Sequence, residues 1–255
     1  MAGFSWDRRI ARASELSKTH SAVAELLGFY QSLARFQKSV YQAVSSATDH
    51  DINVLAPHIP ALIALIKNEG SSALKQAANS IEQASAAERL DLLAAVWQHE
   101  VESHQISPEY AFFAHALLQP YAEYLAERTN SATEASPLLC PFCGSKPQVA
   151  VLRPEGDGAR RFLLCSLCAT EWLFRRVLCP NCAEENKDKL PIFQAQEFDY
   201  VRIDACDTCH TYIKSIDLTK NGNAVPMVDE LATVSLNLWA QENDYQKLQP
   251  NLFGV

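Results

Sequence analysis

All eight cysteines of this chain fall in four C-x-x-C pairs: Cys140/Cys143, Cys165/Cys168, Cys179/Cys182 and Cys206/Cys209. None precedes residue 140. A C-x-x-C turn can aim two sulfurs at one point, and two such turns supply four thiolates. That is the donor set of structural zinc or of a single rubredoxin-type iron. The full spacing is C-x2-C-x21-C-x2-C-x10-C-x2-C-x23-C-x2-C, and four turns can pair in three ways. The spacers of 21 and 23 residues match each other and are long enough for a hairpin, whereas the spacer of 10 suits a connector. Sequential pairing is therefore expected, with Cys140, Cys143, Cys165 and Cys168 at one ion and Cys179, Cys182, Cys206 and Cys209 at the other.

Other chemistries of paired cysteines fit less well. Disulfides belong to oxidising compartments, but residues 1–18 carry Asp7, Arg8, Arg9 and Arg12 and no apolar core of a secretory signal. The longest uncharged apolar-rich stretch, 52–66, contains Pro57 and Pro60 and is too short to span a bilayer. The expectation is a soluble cytoplasmic protein. Thioredoxin-like redox chemistry uses one C-x-x-C beside a βαβ unit, not four in ribbons. Cys206-Asp-Thr-Cys209-His210 matches the c-type haem attachment string, but haem would leave an odd number of pairs. His210 as a replacement ligand is disfavoured because local cysteines already fill a four-sulfur site.

The first 136 residues read as an α-helical bundle, with only three glycines and no strand-like alternation. From Ser21, a candidate N-cap, apolar positions keep helical spacing to Ala47. Further helices are expected at 60–67, 71–83, 86–101 and 108–128, the last opening on a proline suited to a first turn. A polar segment, 129–137, reads as a linker. Beyond it, β-prone runs at 148–152, 161–164, 172–177, 198–203 and 212–216 alternate with the cysteine turns. Turn signals at 154–158 and 219–222 separate strands. Helical spacing returns from Val228 to Tyr245. The predicted architecture is α+β and multidomain. It comprises a helical domain (1–136), a first rubredoxin-like or zinc-ribbon-like four-cysteine module (137–178), and a second such module with a C-terminal helix (179–255).

Net charge is −8, with 22 basic and 30 acidic residues, and each divalent ion on four thiolates adds −2. Residues 140–215 hold ten basic and ten acidic residues, too balanced for a nucleic-acid-gripping zinc ribbon. Arg160, Arg161, Arg175 and Arg176 lie near the cysteines in sequence and could offset anionic sulfur; ordinary solvated positions explain them equally well. Trp172 could shield sulfur from water. No phosphate-binding loop is present. His99 and His104 are five apart, off the i,i+4 spacing of a metalloprotease helix. The remaining histidines of this half, His20, His50, His58 and His115, read as solvated or satisfied. No catalytic residues are expected.

RRFLLCSLCATEWLFRRVLCPNC (160–182), preceded by LCPFCGSKP (139–147), resembles the formate dehydrogenase accessory protein family. FFAHALLQPYAEYLA (112–126), CDTCHTYIKSIDL (206–218) and VDELATVSLNLWAQENDYQKLQPNLFG (228–254) are similar to the family's flanking regions. The resemblance implies a cytoplasmic assembly factor that binds the catalytic subunit of a respiratory formate dehydrogenase before its folded export. It also implies a helical domain followed by two rubredoxin-like modules whose eight cysteines hold iron, with zinc as the alternative metal. Membrane insertion is not implied, and self-association is open. The competing reading is a rubredoxin-like electron carrier serving a redox enzyme. Ala169, Ala183 and His210 follow their pairs where glycine is usual; only Gly144 keeps it.

Overall fold

Serine side chains cap four of the eight α-helices in the computed structural model, which describes residues 5–98, 106–129 and 137–254. Ser5 accepts from the Arg8 amide at the start of α1 (Trp6–Thr19). After α2 (Ala24–Ser46) and α3 (Ile59–Glu69) come α4 (Ser72–Gln83), capped by Ser71, and α5 (Ala86–Trp97). Ser85 and Glu88 close a reciprocal capping box on α5. Ser107 caps α6 (Pro108–Arg128), whose Pro108 occupies the first turn, where its missing N–H is harmless, while Pro120 lies inside the helix. Ser21 is not a helix cap: it lies in a 3-10 turn, Ser21–Val23, and α2 begins after Val23 without a side-chain cap. The expected helix to residue 101 ends at Trp97. Residues 99–105, with the His99/His104 pair, and residues 130–136 of the expected linker lie outside the described residues.

Helix α6 is buried on nearly every side from Phe112 to Tyr124, as a helix that is apolar all round must be. The other helices surround it through Leu33, Val40, Leu55, Leu62, Ile66 and Leu93. Each such side chain contributes roughly 1.5–3 kcal/mol by leaving water.

The cysteine region forms one sheet. Its strands are β1 (Pro147–Glu155), β2 (Gly158–Cys165), β3 (Glu171–Leu173), β4 (Ile192–Phe193), β5 (Val201–Cys206) and β6 (Thr211–Asp217), in the order β3-β2-β1-β6-β5-β4. The short β7 (Gln246–Lys247) pairs with β6. Two ribbons were expected. The parallel pairing of β1 with β6, Val149 opposite Lys214 through Leu152 opposite Asp217, fuses them into a continuous sheet. The run 172–177 yields only the three-residue β3, and Phe198 sits in a 3-10 turn ahead of β5.

The expected C-terminal helix is two helices, α7 (Pro226–Ala232) and α8 (Val234–Glu242), broken at Thr233. The break has a donor. Lys214 Nζ, fully buried on β6, donates to the Glu230 carbonyl at 2.6 Å and to the Thr233 carbonyl at 3.2 Å. A cation on the last carbonyls ends a helix favourably.

Helix α7 is buried along its whole length. Val225, Val228 and Leu231 pack in one cluster with Trp6, Leu16 and Leu27 of the first helices. Arg12 donates to Asp229 at 2.6 Å, and Arg9 forks onto Glu123 of α6 at 2.7 and 2.9 Å. The two ends of the chain thus meet through buried charge. No helix among the described residues is long and apolar enough to cross a membrane.

Candidate metal centres

Each centre is assembled from two turns of one design. In the first, the Cys140 amide donates to the Ser145 carbonyl and the Gly144 amide returns to the Cys140 carbonyl, both at 2.9 Å. In the second, the Cys165 amide bonds the Thr170 carbonyl, and the amides of Leu167 and Cys168 point at Cys165 Sγ at 3.4 and 3.5 Å. Cys179 repeats the first pattern with Glu184 and Ala183, and Cys206 sits at the end of β5 opposite Thr211 of β6.

To close, each turn needs a left-handed residue after its second cysteine. Gly144, Ala169, Ala183 and His210 all adopt it, with φ of 74°, 52°, 60° and 53°. The absence of glycine at three turns therefore leaves their shape intact and places strain on those residues.

The sulfurs converge in two groups, Cys140/Cys143/Cys165/Cys168 and Cys179/Cys182/Cys206/Cys209, each with all its sulfurs within 4.8 Å of one another. This is the sequential pairing expected from the spacers. In the first group Cys143 lies 3.4 Å from Cys165 and 3.5 Å from Cys168, and Cys140 lies 3.5 Å from Cys168. In the second, Cys179–Cys209 and Cys182–Cys206 are both 3.7 Å apart. A tetrahedral ion with metal–sulfur bonds of about 2.3 Å has sulfur–sulfur edges of about 3.8 Å. The donor sets fit one ion each, and a polynuclear cluster would hold its sulfurs farther apart.

The thiols of a group are inequivalent. Hydrogen bonding with Cys140, Cys165 and Cys168 holds Cys143 far below the thiol range, while burial pushes Cys165 far above it. At the second group burial raises Cys179, Cys182 and Cys206. Burial also opposes ionisation of Cys209, but hydrogen bonds from Thr211 and Asn181 outweigh it and bring Cys209 down to about 6. An ion of charge +2 would take over the role of the shared protons.

Two hydroxyls complete the pattern. Thr170 Oγ1 lies 3.0 Å from Cys168 Sγ, and Thr211 Oγ1 lies 3.0 Å from Cys209 Sγ. The Cys168 thiol donates to Thr170 Oγ1, and a metal-bound, deprotonated sulfur at either position would instead accept from the hydroxyl. The signal was present as a repeated C-x-x-C-x-Thr, in CSLCAT and CDTCHT, and its partner C-Pro-x-C recurs in CPFC and CPNC.

Trp172 is buried in the same cluster as Cys140, Cys165 and Cys168, and its Nε1 donates to the Pro137 carbonyl at 2.8 Å. The arginines divide. Arg175 forks onto Glu185 at 2.7 and 3.0 Å, Arg160 pairs with Glu155, and Arg176 donates to the Ala159 carbonyl. Arg161 alone of the four is buried. It bonds the Leu178 carbonyl at 3.2 Å, pairs with Asp204 at 3.2 Å, and lies close enough to Cys179 to feel its charge. The His210 ring lies against Tyr245, and four sulfurs close the group without it.

A helical body carrying two four-cysteine groups on one shared sheet defines a class of proteins built to hold two metal ions on thiolates. Family models described as "FdhE, central domain" and "FdhE, C-terminal domain" match residues 139–176 and 177–253. The chain is 33% identical over 210 residues to a Protein FdhE homolog of Aquifex aeolicus, covering 81% of this chain and 72% of that protein. It is 30% identical over 198 residues to Protein FdhE of Escherichia coli, covering 76% of this chain and 63% of the relative. The crystal structure of the FdhE protein from Pseudomonas aeruginosa superposes with a TM-score of 0.78 over 100% of this chain and 98% of that one, at 23% identity. The chain belongs to the FdhE family, the formate dehydrogenase accessory proteins.

Proposed function

We propose that this chain is a cytoplasmic assembly protein, without a catalytic cycle of its own, that binds the catalytic subunit of a formate dehydrogenase before export. The observation that carries the reading is family membership spanning the two cysteine centres. In this reading Cys140, Cys143, Cys165 and Cys168 ligate one iron and Cys179, Cys182, Cys206 and Cys209 a second. The division into units at 1–136, 137–178 and 179–255 follows the same assignment. When bound, an S4 iron supplies one-electron chemistry that zinc does not. The protein's own residues fix the sulfurs through the turns, lend hydroxyls from Thr170 and Thr211, and bury Cys140, Cys165 and Cys168 of the first centre away from water.

The test is co-expression of the full chain with a formate dehydrogenase catalytic subunit from the same source, with size-exclusion analysis and metal content. A co-eluting complex containing two iron per accessory chain is expected. Separate elution, together with full formate dehydrogenase activity in cells lacking the chain, would remove the assembly reading.

One observation favours the electron-carrier alternative, the solvent-exposed Cys182, because an exposed ligand sulfur gives an electron a short way out. Zinc-loaded protein separates the two. An assembly protein keeps its client binding with zinc, and an electron carrier loses its function.

A further inference from the structure

The two centres share a turn design and differ in what covers them. At the first, Cys140, Cys165 and Cys168 are 4%, 0% and 3% exposed and Cys143 is half-buried, so none of its four sulfurs belongs to an exposed residue. The turn Leu167-Cys168-Ala169 is buried throughout. It is also held from outside: Gln119 of α6 donates from Nε2 to the Ser166 carbonyl at 3.0 Å, and Gln37 of α2 in turn donates to Gln119 at 2.9 Å. Two helices of the bundle thus lock the backbone of one sulfur turn.

At the second centre Cys179 and Cys206 are buried, but Cys182 is exposed and Cys209 is half-buried. Asn181 and Ala183 on either side of Cys182 are exposed, as are Thr208 and His210 around Cys209. These turns are held by the solvent-facing Thr208 Oγ1 to Glu184 at 2.6 Å and, from the C-terminal segment, by Tyr245 Oη to Asp207 at 2.6 Å and the Gln246 amide to the His210 carbonyl at 2.8 Å.

Exchange of a thiolate-bound ion needs a proton or an incoming ligand at sulfur, and hence local opening or direct access. Opening is costly in a packed core and cheap in exposed turns. We propose that the centres are unequal in exchange: the second is the port at which a thiophilic divalent cation enters and leaves, and the first is a closed structural centre that keeps its ion while the helical bundle is docked. The proposal rests on the assignment of the eight cysteines as ligands.

The test uses the full chain loaded with zinc and challenged with excess 4-(2-pyridylazo)resorcinol, monitored in the visible, with parallel alkylation by N-ethylmaleimide and peptide mapping. Two release phases of equal amplitude are expected, with rates at least tenfold apart. Peptides containing Cys182 and Cys209 should alkylate in the fast phase and those containing Cys165 and Cys168 in the slow one. Cys182→Ser should remove the fast phase and leave one slowly released zinc. Should that variant not fold, the alkylation order in the unaltered chain carries the test. Release of both ions in one phase, or alkylation of the first centre before the second, overturns the proposal while leaving the ligand assignment standing. Failure of the chain to hold two zinc ions overturns both.

Discussion

The residue after each second cysteine carries a conformational cost that three of the four turns bear without glycine. The left-handed conformation costs an ordinary L-residue about 1–2 kcal/mol, and glycine avoids it at an unfolded-state entropy penalty of roughly 0.4–1 kcal/mol. Ala169→Gly and Ala183→Gly should therefore each stabilise the zinc-loaded protein by up to about 1 kcal/mol. A thermal melt at fixed metal occupancy reads this as a rise in Tm. Gly144→Ala should shift it the other way by a similar amount. His210→Gly gains less, because it gives up the ring against Tyr245. At this scale the sequence was most informative. Eight thiols in fixed spacing anticipate the two groups of sulfurs that the structure brings together, because the spacing of paired turns is a local constraint. Arg161 was not separable from Arg160, Arg175 and Arg176, since burial depends on which strand face each occupies and on Asp204 of a distant strand.

Among the elements, those with local punctuation were readable and those held by remote partners were not. Helix α6 matches its expected bounds, 108–128, because a serine cap, a first-turn proline and a long apolar run all act locally. Helix α1 carries no apolar run that announces burial. Its charged sequence looks solvated, yet Arg9 and Arg12 are buried against Glu123 and Asp229. Helix α7 shows the converse, with two acids on a fully buried element, tolerated because cations arrive from α1, β6 and β7. Asp229 makes the sharper test. Its carboxylate takes Arg12, the Tyr200 hydroxyl at 2.8 Å and the Val225 amide at 2.6 Å. Asp229→Ala leaves the Arg12 guanidinium with the exposed Glu15 as its ion partner and the Tyr200 hydroxyl at 3.4 Å. A loss of about 3–5 kcal/mol in urea unfolding is expected, the cost of breaking one side of a buried pair. Adding Arg12→Met should recover part of it; full additivity of the two losses would sink the idea that they act as a pair.

For the whole molecule, Glu230 joins more parts than any cysteine turn does. Its carboxylate meets Lys214 of β6 at 2.8 Å, Lys247 of β7, Asn251 of the C-terminal segment at 2.8 Å and Gln148 of β1 at 3.4 Å. The parallel β1–β6 seam that makes one sheet of two ribbons lies among these contacts. No local pattern announces such a seam, because it pairs strands more than sixty residues apart. Burial opposes ionisation of Glu230, but the two lysines outweigh it and hold its carboxyl down to about 2. A carboxyl depressed in the folded state binds protons more readily when unfolded. Its stabilisation is therefore complete above the unfolded value near 4.5 and is lost as pH falls from there through about 2. That shift corresponds to about 3 kcal/mol. Because the centres also lose metal in acid, the comparison is made on metal-free chain. The urea midpoint should fall between pH 4.5 and 2 in the unaltered chain, and that part of the fall should vanish in Glu230→Gln. An equal pH slope in both would mean that the seam does not depend on this charge.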